Sequence, residues 1–119
     1  AQSKDGQWVR SKSYDTYGPI GPRVVPLSEI GDPHNLKIEA RLNGKTVQSS
    51  NTKNLIFSIP YLISYISARC TLEAGDVITT GTPHGVGAFL KPPVFMKDGD
   101  VIEIEIEKIG VLRNTVKAE

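Results

Sequence analysis

The sequence has one cysteine, Cys70. That excludes an internal disulfide and any metal site built from several thiolates. No apolar run approaches the roughly 18 residues of a membrane-crossing helix, and Ala1-Gln2-Ser3-Lys4 opens no secretory leader. An excess of one charge is missing too. The 14 Lys and Arg against 13 Asp and Glu leave +1, so neither nucleic acid nor an anionic membrane surface is an expected partner. An initiator Met is also lacking, and the true beginning of the protein is expected upstream of Ala1.

What is present is one domain's worth of chain. Its 119 residues, 39% hydrophobic and 23% charged, are enough to bury roughly 65% of the unfolded surface. Gln7 to Ser13 reads as a strand with Trp8, Arg10, Lys12 and Tyr14 on one face, and Val24-Val25 as a short return strand. Leu27 to Asn35 reads as a loop or single helical turn. Leu36–Leu42 and Lys45–Ser49 flank Asn43-Gly44, a strong hairpin signal. Ser58 as N-cap and Pro60 in the first turn start a helix running to about Ala68. Its stripe Ile59, Leu62, Ile63, Ile66, Cys70 makes the cysteine an expected buried thiol.

Val77 to Thr80 reads as a strand delivering "TTGTPHGVG" (79–87). Ile102, Ile104 and Ile106 alternate with Glu103, Glu105 and Glu107, the pattern of a half-buried antiparallel strand. Lys108 to Gly110 turns it into a last strand through Val116. The expected class is α+β, mainly β, with one principal helix.

Four features bear on chemistry. Glu103, Glu105 and Glu107 share a face and could chelate a hard cation, although the plainer reading is the solvated face of an amphipathic strand. His84 could be a general base, but no Ser, Cys or Asp stands at triad-like spacing; both it and His34 read more simply as loop residues. The 79–87 turn has neither Rossmann nor Walker spacing. Its free N–H groups and the hydroxyls on either side of Gly81 suit a carboxylate, with a tight corner as the alternative. Lys12 could point into a pocket and polarise a carbonyl, or merely cap a sheet edge.

The blocks "KSYDTYGPIGPRVV" (12–25), "NGKTVQSSNTKNLIFSIPYLISYIS" (43–67), "LEAGDVITTGTPHGVG" (72–87) and "KPPVFMKDGDVIEIEIEKIGVLRNTV" (91–116), in that order, resemble the fumarylacetoacetate hydrolase family over nearly the whole chain. The resemblance implies a roll of mixed β-sheets, usually dimeric, acting on 2-oxo or 1,3-diketo acids with Mg²⁺ or Mn²⁺. By position it makes Lys12 the catalytic lysine, with Ser11 replacing the usual glycine of the motif. Thr82, with Gly81, becomes the binder of the substrate carboxylate. His84 falls on a variable position.

The family's metal ligands and its water-activating His–Glu pair lie upstream of the lysine motif. Glu103-x-Glu105 stands after the threonine turn and is not assigned to the metal. The resemblance therefore makes residues 1–119 the C-terminal part of one catalytic domain, partnered by the N-terminal portion of the same protein. The expected location is cytoplasmic, with the mitochondrial matrix as alternative. The leading expectation is hydrolysis of an acylpyruvate or related diketo acid through an enolate. Decarboxylation or tautomerisation of oxaloacetate-like acids is second, and a non-catalytic fragment or partner subunit third.

Overall fold

Asn43 and Gly44 adopt φ of 50° and 77°, the left-handed pair that a two-residue hairpin turn requires. They join β1 (Lys37–Leu42) to β2 (Lys45–Asn51). The computed structural model of the protein describes residues 8–118. Within them, β3 (Val101–Ile106) and β4 (Gly110–Thr115) complete a four-stranded sheet of order β2-β1-β3-β4. The class is α+β, mainly β. Every pairing in this sheet is antiparallel, so no parallel pair of the expected mixed sheets occurs among the described strands.

The register sorts side chains onto two faces. Ile38, Ala40 and Leu42 stand opposite Ile106, Ile104 and Ile102 and make the apolar face. Glu39 and Arg41 stand opposite Glu105 and Glu103 and make the charged one. Two glutamates facing each other directly would destabilise the pair. Arg41 offsets this: its Nη1 lies 3.1 Å from Glu39 and 2.8 Å from Glu105, and its Nε 3.4 Å from Glu103.

The β1–β2 ladder carries one irregularity. Ala40 pairs with Gln48 but Arg41 with Thr46, leaving Val47 as the extra residue of a one-residue bulge. In an unbroken strand Thr46 and Gln48 would share a face. Here Thr46 donates to Glu39 at 3.0 Å on the charged face, while Gln48 is left on the other.

The principal helix, labelled α3 (Ile59–Ser67), starts as expected: Ser58 Oγ accepts from the Tyr61 N–H at 3.3 Å, and Pro60 needs no partner in the first turn. Two shorter helices precede it, α1 (Trp8–Lys12) and α2 (Leu27–Ile30). The Lys108 ammonium donates to the last carbonyl of α2, Ile30 O, at 2.9 Å. Leu36 and Thr52 exchange two 2.9 Å bonds, Leu36 N to Thr52 Oγ1 and Thr52 N to Leu36 O, which close the segment after β2 onto the strand before it.

Four expectations are corrected. The described part of Gln7–Ser13 is the helix α1 rather than a strand (Gln7 itself lies outside the described residues), so Arg10, Lys12 and Tyr14 do not share a pleated face. Local bonds decide this: the Ser13 hydroxyl donates to the Val9 carbonyl and Ser13 N to Arg10 O, whereas a period of two over four positions is a weak signal. Val24-Val25 and Val77–Thr80 form no strands. An extended segment becomes a strand only beside a partner, and none of the four strands pairs with either. Cys70 is exposed; the stripe it was expected to end is not buried either, since no residue of α3 is buried and Ile63 keeps 44% of its surface exposed.

Among the described residues the buried apolar ones are few: Ile30, Leu36 and Ala40. Ile104, central on the apolar face, keeps 40% of its surface exposed. Phe57, just before α3, stacks on Tyr61 at 5.1 Å and Tyr61 on Tyr65 at 6.2 Å along the solvent side, with the Arg69 guanidinium 4.0 Å from the Tyr65 ring centre. No helix among the described residues is long and apolar enough to cross a membrane.

Candidate active site

A half-open cavity of about 550 Å³ lies beside the apolar sheet face, bordered by Leu62 of α3 and the glycine-rich turn. Its size suits a small ligand. Thr80, Gly81 and Thr82 line one side, Leu55, Ile56 and Phe57 another, and Ser49, Ser50 and Asn54 add hydroxyl and amide groups. His84 is the one ionisable side chain of the lining. Such a wall offers neutral donors to an anionic group at one end and apolar surface to the rest of a small molecule.

The three glycines of the turn serve different ends. Gly85 has φ of 98°, and a Cβ there would sit 2.4 Å from the Val47 carbonyl oxygen. A Cβ on Gly87 would sit 2.1 Å from Val94 O. Both exist because the backbone meets the chain's own backbone, which is the tight-corner alternative for this part of the turn. Gly81, with φ of 102° and nothing within 4 Å of its would-be Cβ, is the one whose surroundings are open, and it is the one lining the cavity.

Gln48 holds the turn from behind. Its Nε2 lies 2.9 Å from Pro83 O, 3.1 Å from His84 O and 3.1 Å from Thr82 Oγ1. Nothing in the local sequence marks this residue, since its partners lie 34–36 positions away. His34 was likewise missed. Its Nε2 accepts from the Ile59 N–H at 3.0 Å, while its Nδ1 faces Asp32 Oδ1 at 3.5 Å. A loop histidine thereby satisfies one of the orphan N–H groups at the start of α3; an Asp-Pro-His turn upstream of a helix is the faint signal for it.

The structure brings Thr82 and Gly81 together at the cavity and places Lys12 elsewhere. Lys12 ends α1, exposed, and is not among the cavity's lining; the neighbouring Ser11 is buried. His84 lines the cavity through the turn, and its backbone carbonyl accepts from Gln48.

Among the described residues, no three His, Cys, Asp or Glu side chains are grouped so as to hold a metal ion. Glu103 and Glu105 are taken up by Arg41, Glu103 also by Arg113 at 3.5 Å, and Glu107 accepts from Lys37 N at 2.9 Å. These residues do not fit Mg²⁺ or Mn²⁺, and the solvated-face reading of the three glutamates stands.

Residues 1–117 match the C-terminal domain of fumarylacetoacetate (FAA) hydrolases. The chain belongs to the fumarylacetoacetate hydrolase family. It is 51% identical over 116 residues to a mitochondrial oxaloacetate tautomerase of Rattus norvegicus, a match covering 97% of this chain and 37% of the relative. The fumarylacetoacetate hydrolase of psychrophilic Exiguobacterium antarcticum superposes with a TM-score of 0.94 at 46% identity, covering 99% of this chain and 42% of that one. A maleylpyruvate hydrolase from Sphingobium, solved with manganese(II) and pyruvate, gives 0.78 at 39% identity over 87% of this chain and 37% of its own. The relatives with stated activities are enzymes, and the chain spans about two-fifths of their length.

Proposed function

We propose that the chain supplies the carboxylate-gripping wall of an enzyme that enolises a 2-oxo or 1,3-diketo acid. The observation carrying this reading is the Thr80-Gly81-Thr82 edge, where two hydroxyl-bearing residues and a glycine line a space the size of a small ligand. Fixed donors of this kind hold a carboxylate so that the carbon beside the ketone stays aligned for proton transfer. An ammonium group at the carbonyl oxygen stabilises the enolate as it forms, and Lys12 is assigned to it from its place in the family's lysine motif. Because Lys12 stands outside the cavity, this assignment requires that α1 and the 79–84 turn face one ligand in the whole enzyme.

The reaction best supported is enol–keto interconversion of an oxaloacetate-like acid, favoured by the 51% identity to the rat tautomerase. There a proton leaves the carbon beside the ketone and one is returned to oxygen, with no bond between carbons broken. The second reading is C–C hydrolysis of an acylpyruvate, favoured by the maleylpyruvate hydrolase. There a water adds to the distal carbonyl, and the bond between that carbon and the pyruvate methylene breaks. Its electron pair leaves as the pyruvate enolate, which is protonated at carbon while the distal part departs as a carboxylic acid. Mg²⁺ or Mn²⁺ belongs to the proposal for the whole protein, held by residues other than those described. A homodimer, and burial of the exposed α3 face against the rest of the protein, belong to it as well.

The test is direct. The full-length protein is given oxaloacetate, and the approach to enol–keto equilibrium is followed by ultraviolet absorbance; acetylpyruvate is followed by its disappearance. Faster equilibration supports the first reading, and loss of acetylpyruvate alone transfers the assignment to hydrolysis. Indifference to both acids overturns the proposal.

A further inference from the structure

We propose that Gln48 is a positioning residue that fixes the Thr82 hydroxyl as a hydrogen-bond donor toward the cavity. The argument begins with the Gln48 amide. Two carbonyl oxygens, Pro83 O and His84 O, stand 2.9 and 3.1 Å from Nε2. Turned over, the amide would set its own oxygen against both, with no hydrogen between any of them. The amide therefore keeps its NH₂ toward the turn.

That orientation decides the polarity of Thr82. Its Oγ1, 3.1 Å from the same Nε2, meets only N–H there, so toward Gln48 it can accept a share of the two amide hydrogens but cannot donate. The hydroxyl's own hydrogen has to go elsewhere, and Pro83 O at 3.4 Å is too long for a good O–H···O bond. The hydrogen is left for whatever occupies the cavity that Thr82 lines. Gln48 does not line that cavity, so it acts through Thr82 rather than on a ligand. A hydroxyl so oriented favours an acceptor-only group, such as a carboxylate, over a ligand that presents donors.

The bulge at Val47 explains how Gln48 reaches this place. By taking up one extra residue, β2 sends Thr46 to the charged face and Gln48 to the other. The same bulged residue offers its carbonyl to Gly85 at a distance only glycine tolerates. Turn and strand are thus joined twice, at Val47 and at Gln48.

The inference rests on the proposed carboxylate site, and its test separates the two. In the full-length protein, oxalate binding is measured by calorimetry and KM and kcat with oxaloacetate, for Gln48→Leu, Gln48→Glu, Thr82→Val and the Gln48→Leu/Thr82→Val double variant. Gln48→Leu is expected to weaken oxalate and raise KM about tenfold with a smaller change in kcat. In the Thr82→Val background it adds little. Gln48→Glu is expected to be worse than Gln48→Leu, because its carboxylate accepts the hydroxyl hydrogen itself. Additive effects of Gln48→Leu and Thr82→Val, or unchanged oxalate binding in both Gln48 variants, overturn the role of Gln48. If the unmutated protein binds no oxalate, the carboxylate reading falls. Gln48 is then judged by its side-chain amide NMR signals: a shift on Thr82→Val supports the pairing, and constancy refutes it.

Discussion

Gly85 lies against the carbonyl of Val47 so closely that a methyl group on it would stand 2.4 Å from the oxygen. The glycine-rich turn is therefore seated on strand β2 before any ligand arrives. Gly85→Ala combines this clash with φ of 98° and is expected to destabilise the full-length protein by more than about 2 kcal/mol. Gly81→Ala, with φ of 102° but open space, is expected to cost about 1 kcal/mol. Urea denaturation of the two variants side by side checks the order.

His34 accepts the Ile59 N–H at the start of α3. His34→Leu leaves that donor without its partner, and a loss of about 1 kcal/mol is expected. Thermal unfolding measures it, and the helical signal should fall with the cap.

Arg41 is the centre of the charged face. The bond from Arg41, and secondarily those from Thr46 and Lys37, hold the Glu39 carboxyl below its ordinary value of 4.5. The Asn43 side chain, and secondarily the Lys97 backbone N–H, do the same for Asp100. Because both groups are depressed on folding, their contribution is complete above the ordinary carboxylate range and is lost as pH falls through the folded values. Stability is expected to drop on acidification below about pH 4.5. In Arg41→Gln the Glu39 share of that drop should shrink, with Thr46 and Lys37 retaining the rest. Denaturant midpoints at stepped pH values test both statements.

On the proposed role of Lys12, Lys12→Ala in the full-length protein is expected to lower kcat by about 10²–10³ while the fold survives. A near-normal kcat with oxaloacetate and acetylpyruvate removes Lys12 from the site. Circular dichroism of the variant confirms that folding is intact.

The stacked Phe57, Tyr61 and Tyr65, each about half exposed, make a contiguous apolar stripe of the kind that marks an interaction surface. The 119-residue chain alone is expected to enhance the fluorescence of an apolar dye, and the full-length protein to do so far less. Equal enhancement by both would mean that the rest of the protein leaves this face uncovered.

Local signals made part of this structure legible in advance. Asn43-Gly44 gave the hairpin, the Ile/Glu alternation gave β3, and Ser58 with Pro60 gave the start of α3, because in each the deciding contacts lie within a few residues. The helix at Trp8–Lys12 was missed, since alternation over four positions cannot outweigh backbone bonds formed locally. Val77–Thr80 has the composition of a strand but no neighbour to pair with. Arg41, Gln48 and His34 act across 62–64, 34–36 and 25 positions respectively, and their partners are set by register, which composition does not reveal. The glycine-rich corner holding Gly81 and Thr82 was legible as a turn; that Gly85 and Gly87 face the chain's own carbonyls was not.

The bulge also bears on how this sheet can grow. Of its two outer strands, β2 is interrupted at Val47 and overlaid there by the 82–87 turn, whereas β4 pairs with β3 in unbroken register. An arriving strand would meet a disordered row of hydrogen-bonding groups on one flank and a regular one on the other. Lateral addition, whether to a second copy or into a larger roll, is thus open along β4 and obstructed along β2.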